Sequence, residues 1–342
     1  MIARAPAKAI VSGEHAVVYG APALAIAVNR HAQAYISVAQ DHSSTIDLEL
    51  ADIGFNSQLD RTALLERYHG CQQRYQHFLK GECPISEVLP QADSLYQCAI
   101  ADFIQLLDSN EDIKLCVKIA SDIPLGAGMG SSAATVAAML KGLATFFDIK
   151  LPRQQLFEMT HRAEQLQHGR SSGIDPAVCC FGGLIRFHQG DIQQRNLPTH
   201  KGWYLLDSGR PEVTTGVCGE QVRRDFGASE VWTEFTAVTN GLEKALLDNN
   251  SDQIQSLVRE NQRLLVTIGV VPEAVQGLIA EIEQHGGAAK VSGAGAVAGD
   301  NAGLILIYQP DANKLPAQLF GKEIRPLVVD YQGAEIESGK NC

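Results

Sequence analysis

The segment of the sequence that most clearly suggests chemistry is a glycine-rich loop. It consists of Gly126, Ala127, Gly128, Met129, Gly130, Ser131 and Ser132. Alternating glycines let successive backbone N–H groups point into one concavity, where a phosphate can approach the backbone closely. A helix predicted directly behind the loop would add the positive end of its dipole at the same place. Taken alone, the loop fits either phosphate binding or a strand-to-helix turn with serine caps. It is not a Walker A loop, because no lysine follows at the required position.

Three ionisable residues stand in positions that allow chemistry but do not require it. Lys8 interrupts an apolar, strand-like segment, so it lies either on a solvated face or in a site. Asp175 precedes Pro176, a pair that predicts a helix start with the aspartate as N-cap. A carboxylate there is held rigidly by the helix dipole. Glu164 lies off the apolar stripe of its predicted helix, so on its own it indicates a solvated charge.

Two further segments are weaker candidates when each is taken alone. Glu14 and His15 follow each other in a turn between Gly13 and Gly20, and such a pair is usually a surface feature. A second glycine-rich loop covers residues 290–299 (KVSGAGAVAG). Its central positions are Ser292, Gly293 and Ala294. By itself this loop fits a helix-to-strand turn better than a ligand-binding loop.

Composition indicates a globular chain of about two domains. Its 342 residues are 45% hydrophobic and 20% charged, which allows a large core and excludes a wholly disordered chain. A net charge of −11 argues against a general nucleic-acid binder, which needs a basic surface. No apolar run reaches the length of a membrane span, and the eight cysteines lack zinc or CxxC spacing. We therefore expect a cytoplasmic protein with reduced thiols and no membrane partner.

The elements that must position these residues are strands and helices without strict alternation. Strands are predicted over residues 23–28, 32–38, 113–119, 203–206 and 304–308. Helices are predicted over residues 57–82, 94–107, 133–147, 152–167, 216–226, 229–248, 251–267 and 273–285. This mixture predicts an α+β fold. We place the domain boundary within residues 183–200 and divide the chain into a first domain, residues 1–185, and a second, residues 186–342.

Four segments together resemble the GHMP kinase superfamily, and within it the mevalonate kinases. Residues 5–20 (APAKAIVSGEHAVVYG) resemble the first mevalonate kinase motif, and residues 123–134 (IPLGAGMGSSAA) resemble the phosphate loop of the superfamily. Residues 172–178 (SGIDPAV) resemble the segment that carries the catalytic aspartate, and residues 290–295 (KVSGAG) resemble the third motif. Order and spacing match over nearly the whole chain. The resemblance implies an N-terminal domain like ribosomal protein S5 domain 2, a C-terminal ferredoxin-like domain and an active site between them.

The resemblance also implies roles for the matched residues. Asp175 matches the catalytic base, and Lys8 matches the lysine that contacts this aspartate and the transferred phosphate. Ser132 and Glu164 match the Mg²⁺ ligands, and residues 126–132 match the cradle for the triphosphate of ATP. The residues assigned to the substrate side are Glu14, His15, Arg170, Ser292, Gly293 and Ala294. The expected cofactors are ATP and Mg²⁺. Related kinases are often dimers, which leaves a homodimer open.

Mevalonate is the acceptor that the resemblance implies, with phosphorylation of its 5-hydroxyl as the reaction. The third motif usually continues in glycines, but here Ala296, Val297 and Ala298 intervene before Gly299-Asp300. Phosphomevalonate kinases often carry Gly-Asp at this point, which keeps phosphomevalonate kinase or another GHMP kinase as an alternative. A second departure is Arg170, an extra cation near the site where the family usually has asparagine. Phosphomevalonate kinases, however, usually have Glu-Tyr where this chain has Glu14 and His15. A catalytically silent ligand sensor on the same fold is a further alternative. It would have no need of the base and the metal carboxylate.

Overall fold

The computed structural model describes residues 1–39, 44–107, 113–124, 126–197 and 201–337. This part of the chain forms two sheets, and helices pack against each of them. The strands are β1 (Ile2–Ser12), β2 (Ala23–Ser37), β3 (Thr45–Leu50), β4 (Phe55–Asp60), β5 (Leu115–Ser121), β6 (Leu184–His188), β7 (Asp191–Arg195), β8 (Trp203–Asp207), β9 (Ala288–Ser292), β10 (Leu304–Tyr308), β11 (Gln318–Leu319), β12 (Lys322–Pro326) and β13 (Glu335–Ile336). The helices are α1 (Arg61–Leu79), α2 (Ser94–Ile104), α3 (Ser131–Phe146), α4 (Arg153–His168), α5 (Ile174–Phe181), α6 (Thr215–Phe226), α7 (Val231–Leu247), α8 (Ser251–Thr267) and α9 (Glu273–Gln284). This confirms the predicted α+β class.

The first sheet carries the glycine-rich loop at one of its ends. Its strand order is β13-β1-β2-β5-β3-β4, and β6 and β7 extend it from β2. In β1, alternate residues such as Ala3, Ala5 and Ala7 are fully buried, so α3 can pack closely on β1 and β2. Gly142 of α3 allows this approach, because a Cβ there would lie 2.8 Å from Cγ1 of Ile36. The sheet and α3 therefore form a rigid base for the loop between β5 and α3.

The second sheet has the strand order β11-β12-β8-β10-β9, and its pairs are all antiparallel within the described residues. Helices α8 and α9 contact β9, and α7 packs on α8. The helix predicted over residues 251–267 is confirmed, with Ile254, Val258 and Leu265 on its buried stripe. Asn250 caps this helix by accepting a hydrogen bond from the Gln253 N–H.

The first sheet also takes strands from beyond residue 185. Both β6 and β7 belong to it, and β13 pairs with β1 through Ala3 and Arg4. Close to β13, the imidazole of His31 lies 2.7 Å from the carboxylate of Asp330, which also accepts two backbone N–H bonds. The chain therefore returns to the first sheet after building the second. The division into residues 1–185 and 186–342 stays a prediction.

Some predicted elements are corrected by the structure. The strands predicted over residues 23–28 and 32–38 form one continuous strand, β2, which pairs along its length with β1. The helix predicted over residues 57–82 starts only at Arg61, because Asp60 caps it by accepting a bond from the Ala63 N–H, 2.8 Å away. The preceding residues form β4, a strand that the sequence did not indicate.

The composition predicts reduced thiols and no membrane span, and two structural findings concern these predictions. Seven cysteines lie within the described ranges and all are free; Cys342 lies outside them. Across the described ranges, no helix combines the length and the apolar character that a membrane span requires. None of the seven described cysteines is therefore used as a covalent crosslink between elements.

Candidate active site

The glycine-rich loop joins β5 to α3 and is held from both sheets. Gly126, Gly128 and Gly130 have φ angles of 75°, 76° and 71°, which glycine adopts without the strain of a Cβ. The Met129 carbonyl accepts a hydrogen bond from the N–H of Lys8 in β1, with a length of 2.9 Å. The Ala127 carbonyl accepts one from the N–H at the start of β10, 3.2 Å away. Gly130 occupies the N-cap of α3, and among the described residues no side chain caps this helix, so the serine caps of the alternative interpretation are not found there.

The side chains of Lys8 and Asp175 meet against this loop. Nζ of Lys8 lies 3.2 Å from Oδ1 of Asp175. The Lys8 side chain is 4% exposed and that of Asp175 is 29% exposed. The carboxylate can therefore be reached from solvent, whereas the lysine that contacts it is buried. Of the two placements that the sequence left open for Lys8, the solvated face is excluded by its burial; its role in a site stays a prediction. The prediction that Asp175 is an N-cap is wrong: Gly173 caps α5, and Asp175 lies in its first turn.

Glu164 is buried beside Ser132, contrary to the solvated charge that its position off the apolar stripe indicated. It is 2% exposed, and its Oε1 atom has no hydrogen-bond partner among the described residues. Oε2 lies 3.5 Å from Nε2 of His168, one turn further along α4. Burial raises the pKa of Glu164, while the charge of His168 and a hydrogen bond with Ser132 lower it. Glu164 is buried because its face of α4 turns towards the start of α3.

The donor set at this point fits a magnesium ion. A buried carboxylate oxygen without a partner carries a desolvation cost that a cation would offset. Mg²⁺ binds oxygen ligands, usually one or two carboxylates together with hydroxyl groups, waters and substrate phosphates. Glu164 and Ser132 supply a carboxylate and a hydroxyl next to the glycine-rich loop.

Glu14 forms a buried ion pair with Lys290, which joins the turn after β1 to strand β9. The two residues are 1% and 0% exposed. The Lys290 ammonium also donates to the carbonyl of Val291 at 2.7 Å and to that of Ile10 at 3.3 Å. Burial raises the pKa of Glu14 and lowers that of Lys290, and each charge opposes the shift of the other. One oxygen of Glu14 has no partner within the described residues.

His15 makes a second contact between the same two motifs. Its Nε2 atom donates to the carbonyl of Ala294 at 2.9 Å, and its backbone has a φ of 57°. Burial lowers the pKa of His15. Ser292 accepts a hydrogen bond from the Ile10 N–H at 2.8 Å, and a Cβ added to Gly293 would lie 3.6 Å from the Gly128 carbonyl oxygen. The third motif therefore packs against the glycine-rich loop. The assignment of these residues to the substrate stays a prediction.

Arg170 lies on the surface of the protein, near Tyr75 of α1. It is exposed, and it follows Gly169, whose carbonyl accepts a hydrogen bond from the Tyr75 hydroxyl at 3.0 Å. Burial raises the pKa of this tyrosine and the charge of Arg170 lowers it, which places the guanidinium near α1. Its assignment to the substrate side also stays a prediction.

Arg210 is a residue near the loop that the sequence analysis missed. It follows β8, and its side chain lies over Gly126. A Cβ added to Gly126 would be 3.2 Å from Nε of Arg210. The sequence offered no indication beyond a turn at Asp207 and Gly209, since nothing local connects this turn to residue 126.

Comparisons with known proteins identify relatives of this chain in sequence and in fold. The family description "GHMP kinases N terminal domain" matches residues 94–183. A mevalonate kinase of Thermococcus onnurineus is 30% identical over 309 residues, which cover 86% of each chain. Among solved structures, the mevalonate kinase of Methanococcus jannaschii has a TM-score of 0.75 at 21% identity, covering 92% of both chains. A Streptococcus pneumoniae phosphomevalonate kinase in complex with phosphomevalonate and AMPPNP has a TM-score of 0.70 at 18% identity, covering 92% and 93%.

The fold is the two-domain GHMP kinase architecture, and the sequence relatives make the chain an ATP-dependent small-molecule kinase. The structural likenesses, all below 25% identity, carry the fold. The sequence relationship goes further, because it spans most of both chains. The chain belongs to the mevalonate kinase family of GHMP kinases.

Proposed function

We propose that this chain transfers the γ-phosphoryl group of Mg-ATP to the 5-hydroxyl of mevalonate and so produces 5-phosphomevalonate. The observation that carries the proposal is the contact of Lys8 with Asp175 beside Gly130. A base, a cation and a phosphate-binding loop stand together there, and phosphoryl transfer needs little else from a protein than alignment and charge neutralisation. Membership in the mevalonate kinase family supports mevalonate as the acceptor.

In this reaction Asp175 orients the acceptor hydroxyl and takes its proton as the phosphoryl group is transferred. The carboxylate is partly exposed, which lets an alcohol reach it. The Lys8 ammonium offsets the negative charge that develops on the transferred group and holds the aspartate in place through the 3.2 Å contact. Backbone N–H groups of residues 126–132 bind the phosphate chain, and the positive end of the α3 dipole stabilises its negative charge.

Glu164 and Ser132 would hold the magnesium ion. When bound, the ion neutralises phosphate charge and fixes the orientation of the phosphate chain. The unpartnered Oε1 atom of Glu164 supports this assignment. The homodimer that related kinases suggest, and the cytoplasmic location, stay predictions.

The test is ADP release from Mg-ATP by the purified chain, with mevalonate and phosphomevalonate offered separately. Release with mevalonate is the expected result, and the Asp175→Asn variant serves as the control for contaminating ATPases. Release with phosphomevalonate alone would contradict the proposal and assign the chain to the next phosphorylation of this acceptor. No release with either, together with intact nucleotide binding, would contradict it in favour of a ligand sensor.

A further inference from the structure

The side chain of Arg210 runs along the start of the glycine-rich loop. A Cβ added to Gly126 would lie 3.4 Å from both Cγ and Cδ of Arg210 and 3.2 Å from its Nε. Three successive atoms of the side chain therefore line the space that a side chain at position 126 would occupy. The guanidinium comes from the segment after β8 in the second sheet, whereas the loop belongs to the first.

The guanidinium has no acidic partner within the described ranges. Among the described residues Arg210 forms neither a hydrogen bond nor an ion pair, and it is exposed. The chain as a whole has 39 acidic residues against 28 basic ones. Most other arginines of the second half are paired with acids; Arg186 and Arg195, for example, both contact Glu243. An unpaired guanidinium over a loop of glycines is therefore available to an anion.

The backbone around Arg210 is fixed to the loop through strand β10. The Gly209 carbonyl accepts a hydrogen bond from the Gly303 N–H at 3.1 Å. Leu304, which follows Gly303 and is the first residue of β10, donates to the Ala127 carbonyl at 3.2 Å. A Cβ on Gly303 would lie only 3.0 Å from the same carbonyl oxygen. Strand β10 and the residue before it therefore hold both the backbone beside Arg210 and the glycine-rich loop. The arginine can approach the loop without a large rearrangement.

A phosphate chain bound at the glycine-rich loop would need a further cation to offset its negative charge. Residues 126–132 contain no basic side chain, and Lys8 is engaged with Asp175. The overall charge of −11 opposes a polyphosphate at long range. A guanidinium offers planar, two-pronged hydrogen bonding to phosphate oxygens, which backbone N–H groups alone do not provide.

We infer that Arg210 is a phosphate-binding residue, whose guanidinium contacts the phosphate chain of the bound nucleotide across Gly126 and completes the cradle from the second sheet. The inference rests on the proposed kinase function and deepens it. The nucleotide is then held from both sheets at once. Arg210 should act on the nucleotide and not on the acceptor.

The test is direct binding without any acceptor, so that it does not depend on which acceptor is correct. Calorimetry with Mg-ATP compares wild type with Arg210→Gln and Arg210→Lys, and competition experiments measure adenosine. Arg325, an exposed arginine in β12, provides the matched control Arg325→Gln. We expect about tenfold weaker Mg-ATP binding for Arg210→Gln, since a charge-assisted hydrogen bond contributes that much. Arg210→Lys should lose less, and adenosine binding and the control should not change.

Two outcomes would overturn the inference. Unchanged Mg-ATP binding by Arg210→Gln would remove the arginine from the phosphate site. An equal loss for adenosine and Mg-ATP would show that the residue only supports the fold. Thermal melting of each variant checks folding, and Arg210→Lys keeps the test decisive if Arg210→Gln is unstable. Wild-type protein that binds Mg-ATP but does not use mevalonate would contradict the proposed acceptor and leave the arginine test readable.

Discussion

Nζ of Lys8 lies 3.2 Å from Oδ1 of Asp175, and Gly130 packs against both side chains. A Cβ at Gly130 would lie 2.9 Å from Cγ of Lys8 and 3.5 Å from Oδ2 of Asp175. Strand β1, helix α5 and the glycine-rich loop therefore meet at one point. In the proposed reaction the acceptor hydroxyl and the γ-phosphoryl group must meet at this same point.

The Asp175→Asn variant should lose turnover while it keeps nucleotide binding. General-base catalysis contributes about a hundredfold to ten-thousandfold, and we expect a loss in that range. Mg-ATP affinity should stay within a few-fold of wild type, because the phosphate chain is received by the loop and not by this carboxylate. Steady-state ADP release and calorimetry measure the two quantities. Near-normal turnover would show that Asp175 is not the base.

The Glu164→Gln variant should need more Mg²⁺ for half-maximal activity, by about tenfold, because an amide replaces a charged ligand. A Mg²⁺ titration at fixed ATP measures this. The melting temperature without metal should be equal to or higher than that of wild type, since a buried and half-unpaired carboxylate is removed. An unchanged Mg²⁺ curve would exclude Glu164 from the metal site.

Replacing Lys290 alone should destabilise the chain more than replacing both members of its ion pair. Lys290→Met leaves the Glu14 carboxylate buried without its partner, which costs about 3–5 kcal/mol for comparable pairs. The double variant Glu14→Gln/Lys290→Met removes that uncompensated charge and should regain part of the loss. Urea unfolding of the two single variants and the double variant measures the coupling. Additive losses would mean that the two charges do not depend on each other.

The Asp330→Asn variant should show a stability loss that depends on pH. Burial by itself raises the pKa of Asp330, but hydrogen bonds from His31, Gly333 and Gln332 outweigh it and hold the pKa below its ordinary value of 3.8. A carboxyl group with a lowered pKa stabilises the fold above its unfolded-state pKa, and this contribution is lost as the pH falls through the folded-state pKa. We expect a loss of about 1–3 kcal/mol at pH 7 that shrinks in acid below 3.8. Chemical unfolding at several pH values measures it, and a pH-independent difference would contradict this account.

Much of the fold follows from local pattern, because periodicity and caps act within a few residues. The predicted helix over residues 251–267 coincides with α8, which has a side-chain cap at Asn250 and a clear apolar stripe. Strands β11 and β13, by contrast, have two residues each and no pattern of their own. These short strands form because they pair with a neighbouring strand, and that pairing depends on the tertiary structure.

The site was predictable as motifs and not as contacts. Helical periodicity placed Glu164 off the buried stripe, yet it is buried because the start of α3 covers it. Glu14 gave no sign of its pairing with Lys290, since the two lie in distant segments. Arg210 matches no quoted motif and approaches Gly126 only through the arrangement of two sheets. Resemblance identified the chemistry, whereas the partners of each charge required the fold.

The pairing of β13 with β1 has a consequence for the making of the protein. The ribosome delivers β1 long before β13, so this edge of the first sheet stays open while the residues between the two strands are synthesised. At bacterial to eukaryotic rates of synthesis, the delay is on the order of tens of seconds. An open strand edge can pair with another chain. The period of exposure to misassembly is therefore set by the speed of translation and not by the speed of folding.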